Sequence, residues 1–452
     1  MKEQILIVYL IVFNSGLISS AAKLNKPNDQ IVLEFKFPLK IYDRLPVEGR
    51  VIDLIRTSGN HLIWLNESGK ITAYDCLKKE IIWTFESSQT NLTRLYSLGK
   101  IVLCADNQNY LLALSHEGKP LWPQPFRQFG GHLVSYEEKA FISSIDRKVL
   151  AIEPFTGEII WSKDMNEDIE GLVALPQRGI IAILSSGLIF QLFFDGSEVK
   201  LGQVGQKIWP YASGRGEYLF LGTRDKGLIC WHLQKRKRLW WMKLAGQLVT
   251  EPLPFGRNLY VITSNAVLYC LSQRSGEIKW WRAIPSRLAY KLLAVDPYII
   301  VTTPNPPLLA FDLNTGQKIG EFNPETGISA SPFLLDNKLI VATYDSINEA
   351  GSLLFLEPDI RITLSSSLPS PQQVGTEIIF TAEVVGFDEP RFEFFLQIGE
   401  KRTIVQRESS RNNWTWLPLA PGDYVVGVKV KDKRKSQEAV VTFQVVKEPH
   451  LN

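Results

Sequence analysis

A short motif returns along this chain every 39 to 41 residues, and that period limits the possible folds more than any other feature. The copies are Ala73-Tyr-Asp-Cys-Leu-Lys-Lys-Glu-Ile-Ile-Trp83, Ala113-Leu-Ser-His-Glu-Gly-Lys-Pro-Leu-Trp122 and Ala151-Ile-Glu-Pro-Phe-Thr-Gly-Glu-Ile-Ile-Trp161. They continue as Cys230-Trp-His-Leu-Gln-Lys-Arg-Lys-Arg-Leu-Trp240, Cys270-Leu-Ser-Gln-Arg-Ser-Gly-Glu-Ile-Lys-Trp280 and Ala310-Phe-Asp-Leu-Asn-Thr-Gly-Gln-Lys-Ile-Gly320. A degenerate copy at Gln191 to Lys200 fills the gap in phase, and a last one ends at Leu353-Leu-Phe-Leu-Glu-Pro358, making eight.

Within a unit, an alternating strand such as Lys100 to Cys104 leads through a polar turn to a second, such as Tyr110 to Leu114. A Gly turn follows, supplying the positive φ that closes a hairpin with the right twist, and then the strand that carries Trp. An innermost strand such as Gly131 to Tyr136 completes a four-stranded meander, and four strands in about forty residues predict a propeller blade. The expected fold is therefore all-β, an eight-bladed β-propeller over residues 28–358 followed by a small β-sandwich. The last copy lacks an outer strand, and Ile31-Val-Leu-Glu-Phe-Lys-Phe37 is expected to supply it from the N-terminal side. That pairing closes the last blade and removes two open sheet edges.

An indole buries roughly 150–250 Å² and carries one N–H donor, so at one fixed place per blade it can wedge against the neighbouring turn. Trp83, Trp122, Trp161, Trp240 and Trp280 are accordingly expected to be framework, with Gly118, Gly157, Gly276 and Gly316 as the turn glycines. Trp241 and Trp281 follow the docking position and face the other side of their strands, where simple packing is the plain reading and a small outer aromatic patch the alternative.

The pattern Ala-x-Asp-x-x-Thr-Gly-x-x-x-Trp resembles the tryptophan-docking repeat of the pyrroloquinoline-quinone-like, BamB-like β-propellers. The turn is held by Thr156-Gly157, Ser275-Gly276 and Thr315-Gly316. The resemblance implies the propeller fold but divides on chemistry, because the quinoprotein dehydrogenases of this group hold a quinone and Ca²⁺ over the central channel. Here there is no adjacent cysteine pair and no counterpart of the metal ligands. The channel-side segments Val51 to Ile55, Leu172 to Leu175, Leu253 to Phe255 and Leu292 to Val295 read as mostly apolar. No catalytic, cofactor-binding or metal residue is assigned, and no cofactor is expected.

Lys2 precedes an apolar run from Ile5 to Phe13, and Ser19-Ser-Ala-Ala22 follows, the pattern of a signal peptide over residues 1–22. The alternative is an uncleaved anchor, since Leu17 and Ile18 lengthen the run. Export would permit disulfides among Cys76, Cys104, Cys230 and Cys270, but there is no CxxC, and Cys230 and Cys270 stand where sister repeats have Ala. Free thiols are expected. From residue 359 to 448, short strands spaced by about ten residues predict the sandwich. There, Trp416 to Asp432 resembles the last hairpin of immunoglobulin-like domains, with Tyr424 as its corner residue.

Fifty Lys and Arg against 47 Asp and Glu exclude a dedicated nucleic-acid binder. The histidines His61, His116, His132, His232 and His450 have no zinc spacing; Lys235-Arg-Lys-Arg238, in a blade turn, has the charge to meet an anionic lipid or polymer, but a solvated turn is its plainer reading. Asn66, Asn91 and Asn413 begin glycosylation sequons. The expected function is that of a monomeric, exported, periplasmic or secreted scaffold that binds protein partners on a face of loops, without enzymatic activity. These loops include Glu86 to Thr93, Pro123 to Gly130, Lys163 to Ile169 and Asn323 to Ile328. Alternatives are a quinone-dependent dehydrogenase-like protein and a carbohydrate- or polymer-binding module.

Overall fold

The computed structural model describes residues 36–57, 61–87, 92–176, 178–305, 307–335, 338–387, 389–432 and 436–447. The expected signal peptide, Asn91, His450 and residues 31–35 of the expected closing strand lie outside them. Among the described residues every regular element is a strand. The chain divides into two compact units, one of Met1–Phe35 with Ile41–Glu357 and one of Lys36–Lys40 with Pro358–Asn452.

Among the described residues the first unit holds a succession of eight antiparallel sheets. The first illustrates the order from inside outward: Val51–Arg56, His61–Asn66, Lys70–Asp75 and Glu80–Glu86. Its two middle strands are almost wholly buried and its last is mostly exposed. The second sheet departs from the expected four strands and has three, Leu92–Leu98, Ile101–Asp106 and Leu111–Leu114. Pro120, Pro123 and Pro125 explain this, because each lacks the N–H a ladder needs, and only the bridges Leu111↔Phe126 and Leu114↔Pro120 remain.

In the eighth sheet, Phe333–Leu335 and Gly327–Ile328 pair with Lys338–Asp345, which pairs with Ala350–Pro358, and Leu39–Val47 takes the outer place. A strand from the N-terminal side thus shares the last sheet. It lies further along than Ile31–Phe37, on the segment that directly precedes the first inner strand.

Apolar contact runs from sheet to sheet. Buried clusters join the first to the second sheet, the second to the third, and so on to the seventh. Another joins Val51, Leu62 and Trp64 of the first to Phe333, Ile340 and Leu353 of the eighth. Cys104, Cys230 and Cys270 are free thiols and buried.

The second unit has two sheets that share a core. One orders Arg361–Ser366, Ile378–Val385 and Asn413–Trp416; the other has Gly422–Lys431 between Arg391–Ile398 and Ser436–Val446. Phe380 and Trp416 from the first meet Phe394, Val428 and Phe443 from the second. The Tyr424 hydroxyl donates to the Ala420 carbonyl at 2.8 Å, the geometry of a tyrosine corner.

Candidate interaction site

Five indoles dock in the same way. The Nε1–H of Trp83 donates to the His116 carbonyl (2.8 Å), that of Trp122 to Pro154 (2.9 Å) and that of Trp161 to Phe194 (2.9 Å). Trp240 reaches Gln273 (2.9 Å) and Trp280 reaches Leu313 (3.2 Å). Each acceptor lies in the turn of the next repeat. The ring lies flat on that turn's glycine: a Cβ added at Gly118, Gly157, Gly276 or Gly316 would stand 2.5, 3.0, 2.6 or 2.5 Å from the indole. These glycines also have φ between +66° and +76°, so two independent constraints exclude a side chain there. Gly196 plays the same part beneath Trp161.

The strand partner of four of the five docking residues is small: Ala73 opposite Trp83, Ala151 opposite Trp161, Cys230 opposite Trp240 and Cys270 opposite Trp280. The thiols therefore do the work of methyl groups, and burial pushes Cys230 up to about 12 and Cys270 to about 11, keeping both protonated. Where the fourth repeat has Lys200 instead of Trp, the next sheet fills the place. Trp231 is 5% exposed, packs with Leu201 and Val204, and comes within 2.5 Å of where a Gly202 Cβ would be. A further indole that the motif does not flag, Trp209, donates to the Leu248 carbonyl at 3.0 Å.

The inner strands hold a feature their apolar appearance hides. One position per repeat, at the mouth where each inner strand begins, is Asp53, Arg94, His132, Gly171, Tyr211, Glu251, Lys291 and Ser331. The register supports the equivalence, since Asp53, Arg94 and Gly171 each follow a bulge and pair with Leu65, Ala105 and Ile183. Asp53 ties two sheets together: its carboxylate accepts the Leu54 N–H (2.9 Å) and the Leu95 N–H (2.8 Å). Burial raises its pKa against the pull of those two bonds. Arg94 from the second sheet and Glu251 from the sixth both act electrostatically on His132 and on Tyr211, so this set converges. The correction to the apolar reading is one polar residue within the first segment, Asp53, and one just ahead of the sixth and seventh, Glu251 and Lys291, visible in sequence only when all eight copies are stacked.

Burial, reinforced by the Arg94 charge and opposed by Glu251, pushes His132 down to about 4. The unfolded chain therefore binds a proton near pH 6.5 that the native state refuses until about 4, and native stability falls as pH drops through that window. Replacing His132 by Asn should reduce the loss between pH 7 and pH 4.5 by about 1–3 kcal/mol for this half-buried group. Urea midpoints of both proteins at the two pH values measure it; parallel losses would contradict the assignment.

Other sites flagged by sequence are placed plainly. Asn66 is 3% exposed, its amide donates to the Glu48 carbonyl and its oxygen accepts the Ser68 and Lys70 N–H groups, so it organises a turn. Among the described residues, no group of three His, Cys, Asp or Glu side chains is placed to hold a metal ion. No helix among them is long and apolar enough to cross a membrane. Trp241 and Trp281 are not packed away: they are 41% and 58% exposed.

The family model described as outer membrane protein assembly factor BamB matches residues 194–321, the stretch that holds Trp240, Trp280, Gly276 and Gly316. No curated protein matches the sequence. Among solved structures, BamB from Moraxella catarrhalis is similar over 71% of this chain and 100% of its own, at 13% identity and a TM-score of 0.56. The computationally designed Ika8 protein is similar over 72% of this chain and 100% of its own, at 11% identity and a TM-score of 0.57. Residues 194–321 thus match the BamB family model, and the chain has the fold of a BamB-like β-propeller.

Proposed function

We propose that this protein is an exported, non-enzymatic scaffold of the cell envelope that docks protein partners on one loop-bearing face of a closed, eight-bladed ring. The observation that carries this reading is the docking frame, in which five indoles lock successive sheets through one N–H bond each and hold the intervening loops on a stiff support. Ring closure is supported by the eighth sheet, which takes its outer strand from the N-terminal side and shares a core with the first. The polar mouth formed by Asp53, Arg94, His132, Tyr211, Glu251 and Lys291 opens towards the loops that lead into the inner strands, which favours that face. The family whose model matches residues 194–321 is described as an assembly factor, and assisting assembly by holding a partner chain is the activity inferred here. The immunoglobulin-like unit presents or spaces the propeller.

A photo-crosslinking residue at Gln128 or Glu325, on this face, should give a discrete adduct with an envelope protein in the producing cell. The same residue at Glu158, in a rim turn, should give none. Adducts from Glu158 alone, or no adduct from any of the three, would remove the reading.

A further inference from the structure

Five sheets share a bulge at the residue just before the docking position, so the residue after that position occupies one defined place on the rim. That residue is Thr84, Ser162, Trp241, Trp281 and Glu321 in turn. The frame evidently needs no large apolar group there, for Thr, Ser and Glu serve three sheets. The two indoles stand in neighbouring sheets, the fifth and sixth, and are the exposed ones.

The bulge also decides their company. Ile278 pairs with Leu271 and Trp281 with Tyr269, which lie on one side of their strand, so Ile278 (42% exposed) and Trp281 share a face. By the same reasoning Arg238 and Lys243 share a face with Trp241, through Trp231, Gly227 and Ile229. The outer strand Ile278–Ala283 borders an open hollow of about 740 Å³.

Charge singles out the same place. Residues 233–243 hold Lys235, Arg236, Lys237, Arg238 and Lys243 and no acid; residues 273–283 hold Arg274, Lys279 and Arg282 against Glu277 alone. Eight cations and one anion leave +7 on two adjacent outer strands and their turns, whereas the whole chain carries +3. Among the described residues none of the eight is in an ion pair. The turn that docks Trp240 belongs to the sixth sheet, which places the two basic segments side by side.

We propose that this rim of the fifth and sixth sheets is a docking surface for an anionic phospholipid bilayer. Clustered Lys and Arg draw a protein to anionic headgroups. Indoles, apolar in body and polar at the N–H, settle at the boundary between headgroup and acyl chain. A soluble polyanion would engage the cations and leave the indoles idle, so the pairing of the two favours a lipid surface. The inference stands apart from partner binding by the loop face.

Flotation of the full chain with phosphatidylcholine vesicles, with and without phosphatidylglycerol, tests it. The increment due to phosphatidylglycerol is the readout, because a contribution from the apolar N-terminal run would not depend on lipid charge. Trp241→Ser with Trp281→Ser should cut that increment about tenfold, and glutamine at Lys235, Arg236, Lys237 and Arg238 at least about tenfold, as polybasic segments do. Both variants alter exposed side chains and should melt like the parent. No increment for the parent overturns the proposal. So does an undiminished increment in the indole variant, and equal heparin binding by parent and indole variant without flotation would assign the rim to soluble polyanions instead.

Discussion

Trp280→Ala is expected to lower stability by about 3–5 kcal/mol, the range of a large aromatic truncation in a packed core. The indole is 6% exposed, lies on Gly316 and packs 5.9 Å from the Tyr260 ring. The carbonyl it serves is not orphaned by its loss, because Leu313 O also accepts the Tyr260 hydroxyl (2.8 Å) and the Asn258 amide (3.3 Å). The cost is therefore mainly the void between the sixth and seventh sheets, and Trp280→Phe, which restores most of the volume, should recover most of it. Trp281→Ala, one residue on and exposed, should stay within about 0.5 kcal/mol of the parent. Urea denaturation of the three variants measures the contrast; an unchanged midpoint for Trp280→Ala would show that the indole is not a staple.

In the second unit, Gly427→Ala should cost about 2–3 kcal/mol, at the upper end of core overpacking. Gly427 lies on the central strand and pairs with Phe395 on one side and Val440 on the other. A Cβ there would run into the Phe395 ring, which is 1% exposed and covered by the Arg402 guanidinium 3.3 Å from its centre. The ring cannot withdraw without breaking that stack. Hydrogen exchange should accelerate across 391–446 and stay unchanged in the docking turns of the first unit. Parent-like protection in 391–446 would mean that the strand yields.

The propeller was legible because its signals are local. A turn glycine, a small residue opposite a Trp and a strand-length alternation all fall within about eleven residues, and the copies reinforce one another. Trp83, Trp122, Trp161, Trp240 and Trp280 could be assigned a framework place on those grounds, and the structure puts each against the neighbouring turn. The second repeat shows the limit of that reasoning. Its Trp122 still docks although prolines dissolve the strand around it, since the dock needs only one indole and one carbonyl.

Features that depend on distant residues escaped. Asp53 and Glu251 lie 198 positions apart in sequence, the one inside and the other just ahead of a segment that reads as apolar, so only folding gathers them with Arg94 and His132. Trp231 substitutes for a Trp missing from the preceding repeat, which no pattern within either copy encodes. The chain by itself determined the kind of its repeats, because hairpin geometry is set by near neighbours. The tertiary structure decided which strand joined the eighth sheet, which polar groups met at the mouth and which indoles stayed in water. Those outcomes turn on register, bulges and the approach of separate sheets.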